Sequence, residues 1–310
     1  YLRTNPKSVK AAKLLAELKI RLGDYAGALQ IIFDSAIRAD APQSAWAFAE
    51  QTASEGRKDE ALQAYEKFYL HFPSNPNARS ALLKSASIRL EKGDREGAKK
   101  NYSSLAENYP KTPESQLAAL RLIQITEGEG IDLTSKLRSF ADSTLDRGVA
   151  YEAQLLLGER FLRRGNIEDA GRSLSQAILK AKTKKEVYDV MSLSALMNFF
   201  AGNYDTMTKD IESAVAGIPE GENSNSLLSL RVLSLRVVSG SDMRNFNTYA
   251  RGRYALYRGD ETTAADSLMA AAADTSSVVA SAAALSLGER FREKGENGKA
   301  LGWYRRAIEA

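Results

Sequence analysis

The stretches "LGERFLRRGN" (residues 157–166) and "LGERFREKGE" (residues 287–296) are nearly the same ten residues written twice, 130 positions apart. Each carries a glycine, Gly165 or Gly295, followed five residues later by an alanine, Ala170 or Ala300. The same spacing recurs at "GDYAGA" from Gly23, "GRKDEA" from Gly56, "GDREGA" from Gly93 and "GDETTA" from Gly259. A seventh copy, "GNYDTM" from Gly202, keeps the turn but has Met207 at the alanine position. Successive glycines are 33, 37, 72, 37, 57 and 36 residues apart. The 72 is two units of 36, which places a degenerate copy around "TEGEGIDLTSKL" (residues 126–137). The 57 leaves one helix over, roughly Ser224 to Ser239, that belongs to no pair.

Other registers keep the same period. Seven residues before the glycine stands a small residue: Ala16, Ala49, Ala86, Gly158, Ala195, Gly252 or Gly288. Twelve after it come Phe68, Leu105, Ala177, Ala214, Ala271 and Ala307, and seventeen after it Pro73, Pro110 and Pro219. Apolar residues recur at helical spacing on both sides of the glycine. Glycine followed by Asp or Asn suits the left-handed end of one helix and the cap of the next. Proline opposes continuation of the second helix. Each unit therefore reads as a helical hairpin whose small residue lets the two helices approach closely. A lone hairpin cannot bury its own apolar face, so the units must stack.

Composition narrows the chemistry. The chain has 310 residues, 44% of them apolar, 26% charged, with a net charge of +4. Its cations are scattered among acids, which argues against a nucleic-acid binder. No run is long and apolar enough to cross a membrane. There is no cysteine and a single histidine, His71 in "FYLHFP". Disulfides, thiolate nucleophiles and cysteine-ligated metals are excluded, and His71 reads as a helix-end residue. "GEGID" at Gly128 lacks the lysine of a phosphate loop, and "NYS" at Asn101 is a glycosylation pattern inside an expected helix. No catalytic constellation, metal site or cofactor site is read, so the chain is expected to be no enzyme within these residues.

The helix pairs of 33 to 37 residues, with their small, aromatic and proline positions, resemble tetratricopeptide repeats. "LGERFLRRGNIEDAGRSLSQAI" and "LGERFREKGENGKALGWYRRAI" match that pattern most fully, while "GRKDEALQAYEKFYLHFPSNP" and "GDREGAKKNYSSLAENYPKTP" supply its aromatic and proline positions. The resemblance implies an all-α, right-handed superhelical solenoid of antiparallel helix pairs, with seven to eight repeats and one unpaired helix. The expected organisation is the tail of a preceding repeat over 1–6, a solenoid over 7–219, the extra helix over 220–241 and further repeats over 242–310. "YLRTNP" at the start matches "FYLHFP", and Ala310 closes a repeat without a polar cap, so a longer parent chain is expected.

In this family the first helix of each pair lines a groove that holds protein or peptide partners. The corresponding positions here are mostly charged or aliphatic, and the aromatic exceptions are the candidate partner-binding residues: Trp46, Phe200, Phe246, Tyr249 and Tyr257, with Arg253 among them. Aromatics beside an arginine are what binding hot spots use. The competing reading packs Phe246, Tyr249 and Tyr257 against the extra helix and Trp46 against a neighbouring hairpin.

The implied function is a non-catalytic protein–protein interaction scaffold. The alternative is a superhelical accessory region of a larger enzyme, such as a cell-wall lytic transglycosylase. Fold alone does not choose between them. The connectors "FPSNPNARSALL" and "YPKTPESQLAAL" resemble repeats of bacterial envelope proteins, which points towards envelope assembly in a periplasm. The absence of cysteine fits a periplasm and a cytoplasm alike.

Overall fold

A computed structural model describes residues 8–126, 133–216, 222–240 and 242–310. The chain divides into two compact units, Tyr1–Val149 and Ala150–Ala310. The first holds α1 (Val9–Arg21), α2 (Tyr25–Ala39), α3 (Pro42–Ser54), α4 (Lys58–His71), α5 (Asn77–Glu91), α6 (Arg95–Asn108), α7 (Pro113–Ile125) and α8 (Leu133–Ser143). The second holds α9 (Arg147–Arg163), whose first turn precedes the division, and α10 (Ile167–Lys180), α11 (Lys184–Ala201), α12 (Tyr204–Val215), α13 (Glu222–Gly240), α14 (Met243–Arg258), α15 (Glu261–Ala273), α16 (Ala280–Glu293) and α17 (Asn297–Glu309). Among the described residues there is no strand. Each unit is a helical-repeat array, and the protein is an all-α solenoid.

The seven turn glycines explain the hairpins. Gly23, Gly56, Gly93, Gly165, Gly202, Gly259 and Gly295 all have φ between 74° and 88°. An L side chain pays a steric penalty there that glycine does not. The helix beyond is then capped in several units by the expected acid or amide: Asp24 accepts from the Gly27 amide at 2.8 Å, Asp94 from Gly97 at 2.9 Å and Asn166 from Asp169 at 3.1 Å. Prolines Pro73 and Pro110 follow the ends of α4 and α6, as helix-stopping residues should. Pro219, Gly128 and residues 1–6 lie outside the described residues. His71 is the exposed last residue of α4, and Asn101 lies within α6 with its amide donating to Ser85.

The small residue seven positions before each glycine is buried in all seven units. Three of the seven are glycine, and space requires it. A Cβ on Gly158 would stand 2.7 Å from Leu174 Cδ2, on Gly252 2.8 Å from Leu268 Cγ, and on Gly288 2.6 Å from Tyr304 Cδ1. In each case the obstructing side chain lies sixteen residues on, in the second helix of the same hairpin. Met207, at an alanine position, is itself fully buried, so the deep site of the α11–α12 hairpin takes a larger side chain without opening.

The apolar core is strung along the array, as stacking requires. In the first unit one cluster runs through α1 to α5 around Phe33, Tyr65 and Phe68, and another through α5 to α7 around Tyr102 and Leu105. In the second unit the largest cluster joins α11 through α17 around Phe199, Met207 and Phe246. Each fully buried side chain of this size contributes about 1.5–3 kcal/mol relative to exposure. The leftover helix is α13. It buries Leu227 and Val237 in that cluster but leaves Val232 and Leu235 more than half exposed. The division of the chain falls at Val149, just after the degenerate hairpin α7–α8.

Candidate protein-binding face

Two adjacent rows on the first helices behave oppositely. The row seven before the turn glycine is sealed. The next row, six before it, holds Glu17, Glu50 and Ser87 in the first unit and Glu159, Leu196, Arg253 and Glu289 in the second, and every one is exposed or half-buried. The sealed row is uniformly small and fixes the hairpin. The open row changes chemistry from repeat to repeat.

In the first unit that face is knitted by polar contacts between successive first helices. Glu50 of α3 receives Lys84 of α5 at 2.6 and 2.7 Å, and Tyr65 donates to the same carboxylate at 2.7 Å. Burial, reinforced by Glu50, pushes the Tyr65 phenol well above its ordinary range. Glu114 of α7 takes a hydrogen bond from Ser80 of α5 at 3.5 Å. Trp46 lies half-buried beside this network, its ring 5.7 Å from Tyr65 and 5.3 Å from Phe68, with the Lys84 ammonium 5.4 Å from its centroid. Its aromatic partners belong to α4, the second helix of its own hairpin, while Lys84 comes from α5 of the neighbouring one. Trp46 is only half-buried, so it both packs and keeps part of its surface accessible.

In the second unit the aromatic residues separate into core and surface. Phe246 is 0% exposed and Tyr249 4%. Burial places both in the core and not on an exposed groove wall. Phe246 lies 5.5 Å from Phe199 and 4.6 Å from Tyr204, and Tyr249 lies 5.9 Å from Phe199. These ring partners come from α11 and α12, and the cluster that holds both residues also takes in Leu227 and Val237 of the extra helix. The physical reason is that α14 closes directly on α11 across the interruption, and its groove-facing rings fill that joint. Tyr204, whose hydroxyl donates to Asn247 at 2.5 Å, has its phenol pushed up to about 12 by burial.

Phe200, Tyr257 and Arg253 remain at the surface, the first two half-buried and the third exposed. Phe200 stacks on Tyr254 with centroids 4.7 Å apart and planes 19° apart, and its ring is 5.5 Å from Tyr257. The Arg163 guanidinium lies 5.5 Å from the Tyr257 centroid. Arg253 donates to the Tyr249 hydroxyl at 2.8 Å, so the exposed guanidinium is anchored to a core phenol.

Sequence reasoning did not single out Tyr254 or Arg258. Tyr254 donates to the Leu162 carbonyl at 2.8 Å and Arg258 to the Arg163 carbonyl at 3.3 Å. These are last-turn carbonyls of α9, where the helix end attracts donors and cations; that of Leu162 also accepts from the Gly165 amide at 3.1 Å. α14 is thus fastened to a first helix more than ninety residues earlier in the chain. Only the arginine content of α14 hinted at such a role. Among the described residues no group of His, Cys, Asp and Glu is arranged to hold a metal ion, and no helix is long and apolar enough to cross a membrane.

The model of a family described as 26S proteasome subunit RPN7 matches residues 121–286, more than half of the chain. A tetratricopeptide repeat-like domain model matches residues 32–131. No curated protein matches the chain. Among solved structures, a tetratricopeptide repeat protein from Parabacteroides merdae is similar over 74% of this chain and 91% of its own, at 14% identity and a TM-score of 0.40. A monomeric IFIT1 mutant with m7Gppp-AAAA is similar over 97% of this chain and 69% of its own, at 16% identity and a TM-score of 0.42. The P58(IPK) TPR domain is similar over 97% and 92%, at 15% identity and a TM-score of 0.27.

Proposed function

The chain belongs to the family described as 26S proteasome subunit RPN7, with tetratricopeptide-like repeats in its first unit, and from this we propose that it is a non-catalytic scaffold that holds protein or peptide partners on its first-helix face. The observation that carries the reading is the pair of rows: one sealed and invariant in size, the next open and chemically varied. Such a face keeps one backbone geometry while the exposed side chains change, which is how a repeat array acquires selectivity without altering its fold. A family described by a subunit of an assembly is in keeping with it.

The finer reading places the scaffold in assembly of the bacterial cell envelope, on the periplasmic side. Its support is the resemblance of the connectors over residues 72–83 and 109–120 to envelope-protein repeats.

A photo-activated cross-linking residue at Glu17 or Glu289, on the open row, is expected to capture discrete proteins in intact cells. The same residue at Lys100 or Lys209, on second helices, is expected to capture few. Equal labelling at both sets of positions would defeat the scaffold reading. Cell fractionation tests the finer reading by itself: recovery with the cytoplasmic contents would remove the envelope assignment and leave the scaffold standing.

A further inference from the structure

The second unit contains one helix whose own charge is unbalanced. α14 reads MRNFNTYARGRYALYR: four arginines, Arg244, Arg251, Arg253 and Arg258, and no carboxylate. All four side chains are exposed. Elsewhere in this protein cations commonly meet acids, as in Lys84 with Glu50 at 2.6 Å, Arg89 with Glu66 at 2.5 Å, and Arg231 with Glu212 at 2.6 Å. Among the described residues none of the four α14 arginines is in an ion pair, although the charge of Arg258 is felt by Asp260 just beyond the helix. Three are held instead by neutral acceptors: Arg251 by the Ser267 hydroxyl at 3.1 Å, Arg253 by the Tyr249 hydroxyl at 2.8 Å, and Arg258 by the Arg163 carbonyl at 3.3 Å. A neutral acceptor orients a guanidinium without cancelling its charge. The donors left over face water, already positioned for a carboxylate, which lowers the ordering cost of binding.

The arrangement is also linear. Arg244, Arg251 and Arg258 follow at seven-residue intervals, so they lie along one side of the helix about 10.5 Å apart, roughly 21 Å from first to last. Arg253, two residues after Arg251, lies about 160° round the helix from this line, on the open row.

We propose that α14 is an anion-reading strip of the second unit and that it receives an acidic stretch of a partner protein. This deepens the scaffold reading and rests on it. Charge complementarity selects the occupant, and the rings select protein over nucleic acid. A single-stranded nucleic acid needs free aromatic faces on which to stack its bases. Here Phe200 and Tyr254 cover one another, Arg258 lies 5.5 Å from the Tyr254 centroid, Arg163 lies 5.5 Å from that of Tyr257, and Tyr249 is buried. The strip offers charge without a stacking platform.

The test uses the full chain and a fluorescent glutamate peptide of about ten residues, which spans the strip at roughly 3.3 Å per residue. Anisotropy titrations at low salt are expected to show binding that weakens as salt rises. Arg244→Gln with Arg251→Gln is expected to weaken it about five- to tenfold, since exposed charges contribute modestly one by one. Arg38→Gln with Arg305→Gln removes the same charge elsewhere and is expected to leave affinity within about twofold. If the double variant on α14 unfolds by circular dichroism, Arg244→Gln alone serves, because that side chain makes no hydrogen bond or ion pair with the described residues. Absence of peptide binding by the unmodified chain overturns the proposal, as does equal weakening by the two double variants. A single-stranded oligonucleotide of equal charge that binds more tightly than the peptide overturns it as well. Each of these failures is separate from the cross-linking result on the open row, which tests the scaffold itself.

Discussion

Glycine plays two different parts in this chain, and substitution separates them. At Gly252 the backbone is helical and the constraint is space, since an added Cβ would meet Leu268 Cγ at 2.8 Å and the Leu268 backbone nitrogen at 3.2 Å. A backbone atom cannot swing aside, so Gly252→Ala is expected to spread the α14–α15 hairpin and to cost about 1–3 kcal/mol in urea unfolding. At Gly298 and Gly302 nothing lies within 4 Å, and both are inside α17. There alanine relieves only the entropic penalty of a helical glycine, so Gly298→Ala is expected to stabilise by about 0.5–1 kcal/mol. Opposite signs for one chemical change would show that the close approach, and not the residue type, governs the repeat. The turn glycines and the sealed row were legible from spacing alone, because steric limits repeat with the period. The burial of Phe246 and Tyr249 was not, because it depends on which helix closes against α14 after the interruption.

Between elements, the joints are partly electrostatic. Glu261 at the start of α15 accepts from Arg290 of α16 and pairs with Lys294 at 2.7 Å. The Arg290 hydrogen bond, followed by that of Lys294, brings its carboxyl down from 4.5 to about 2. A carboxylate whose folded pKa is depressed contributes stability above its unfolded value and loses it as pH falls through the folded one. The contribution is therefore expected to be complete above about pH 4.5 and to fade towards pH 2. With 38% of the Glu261 side chain exposed, solvent screening keeps it at the level of a surface bridge, about 0–1 kcal/mol. Unfolding of the unmodified chain and of Glu261→Gln should differ near neutral pH and converge by pH 2; a gap unchanged over that range would remove the ion pair from the joint. Sequence periodicity could place α15 and α16 as neighbours but not this triad, because surface side chains lie outside the repeated positions. The same limit hid α14's role. Apart from Arg253 its arginines fall outside the repeated positions, so only their lack of acids marked them.

Across the molecule, the two compact units and the strung-out core set how damage should spread. Phe199 is buried in the second unit and lies within about 5.5–6.3 Å of Phe200, Tyr204, Phe246 and Tyr249. It joins α11, α12 and α14 at the point where the period is interrupted. Phe199→Ala removes a ring with several large neighbours and is expected to cost about 3–5 kcal/mol. In an array whose repeats contact mainly their neighbours, such a loss weakens the adjoining hairpins first. Amide exchange in α11 to α15 is therefore expected to accelerate strongly, while α3 to α6 in the first unit keep their protection. A single, all-or-none loss of protection from α1 to α17 would mean that the chain unfolds as one cooperative body. The scaffold reading depends on that distinction. A partner held on α14 should protect the amides of the second unit on binding, and the first unit would then be free to hold another.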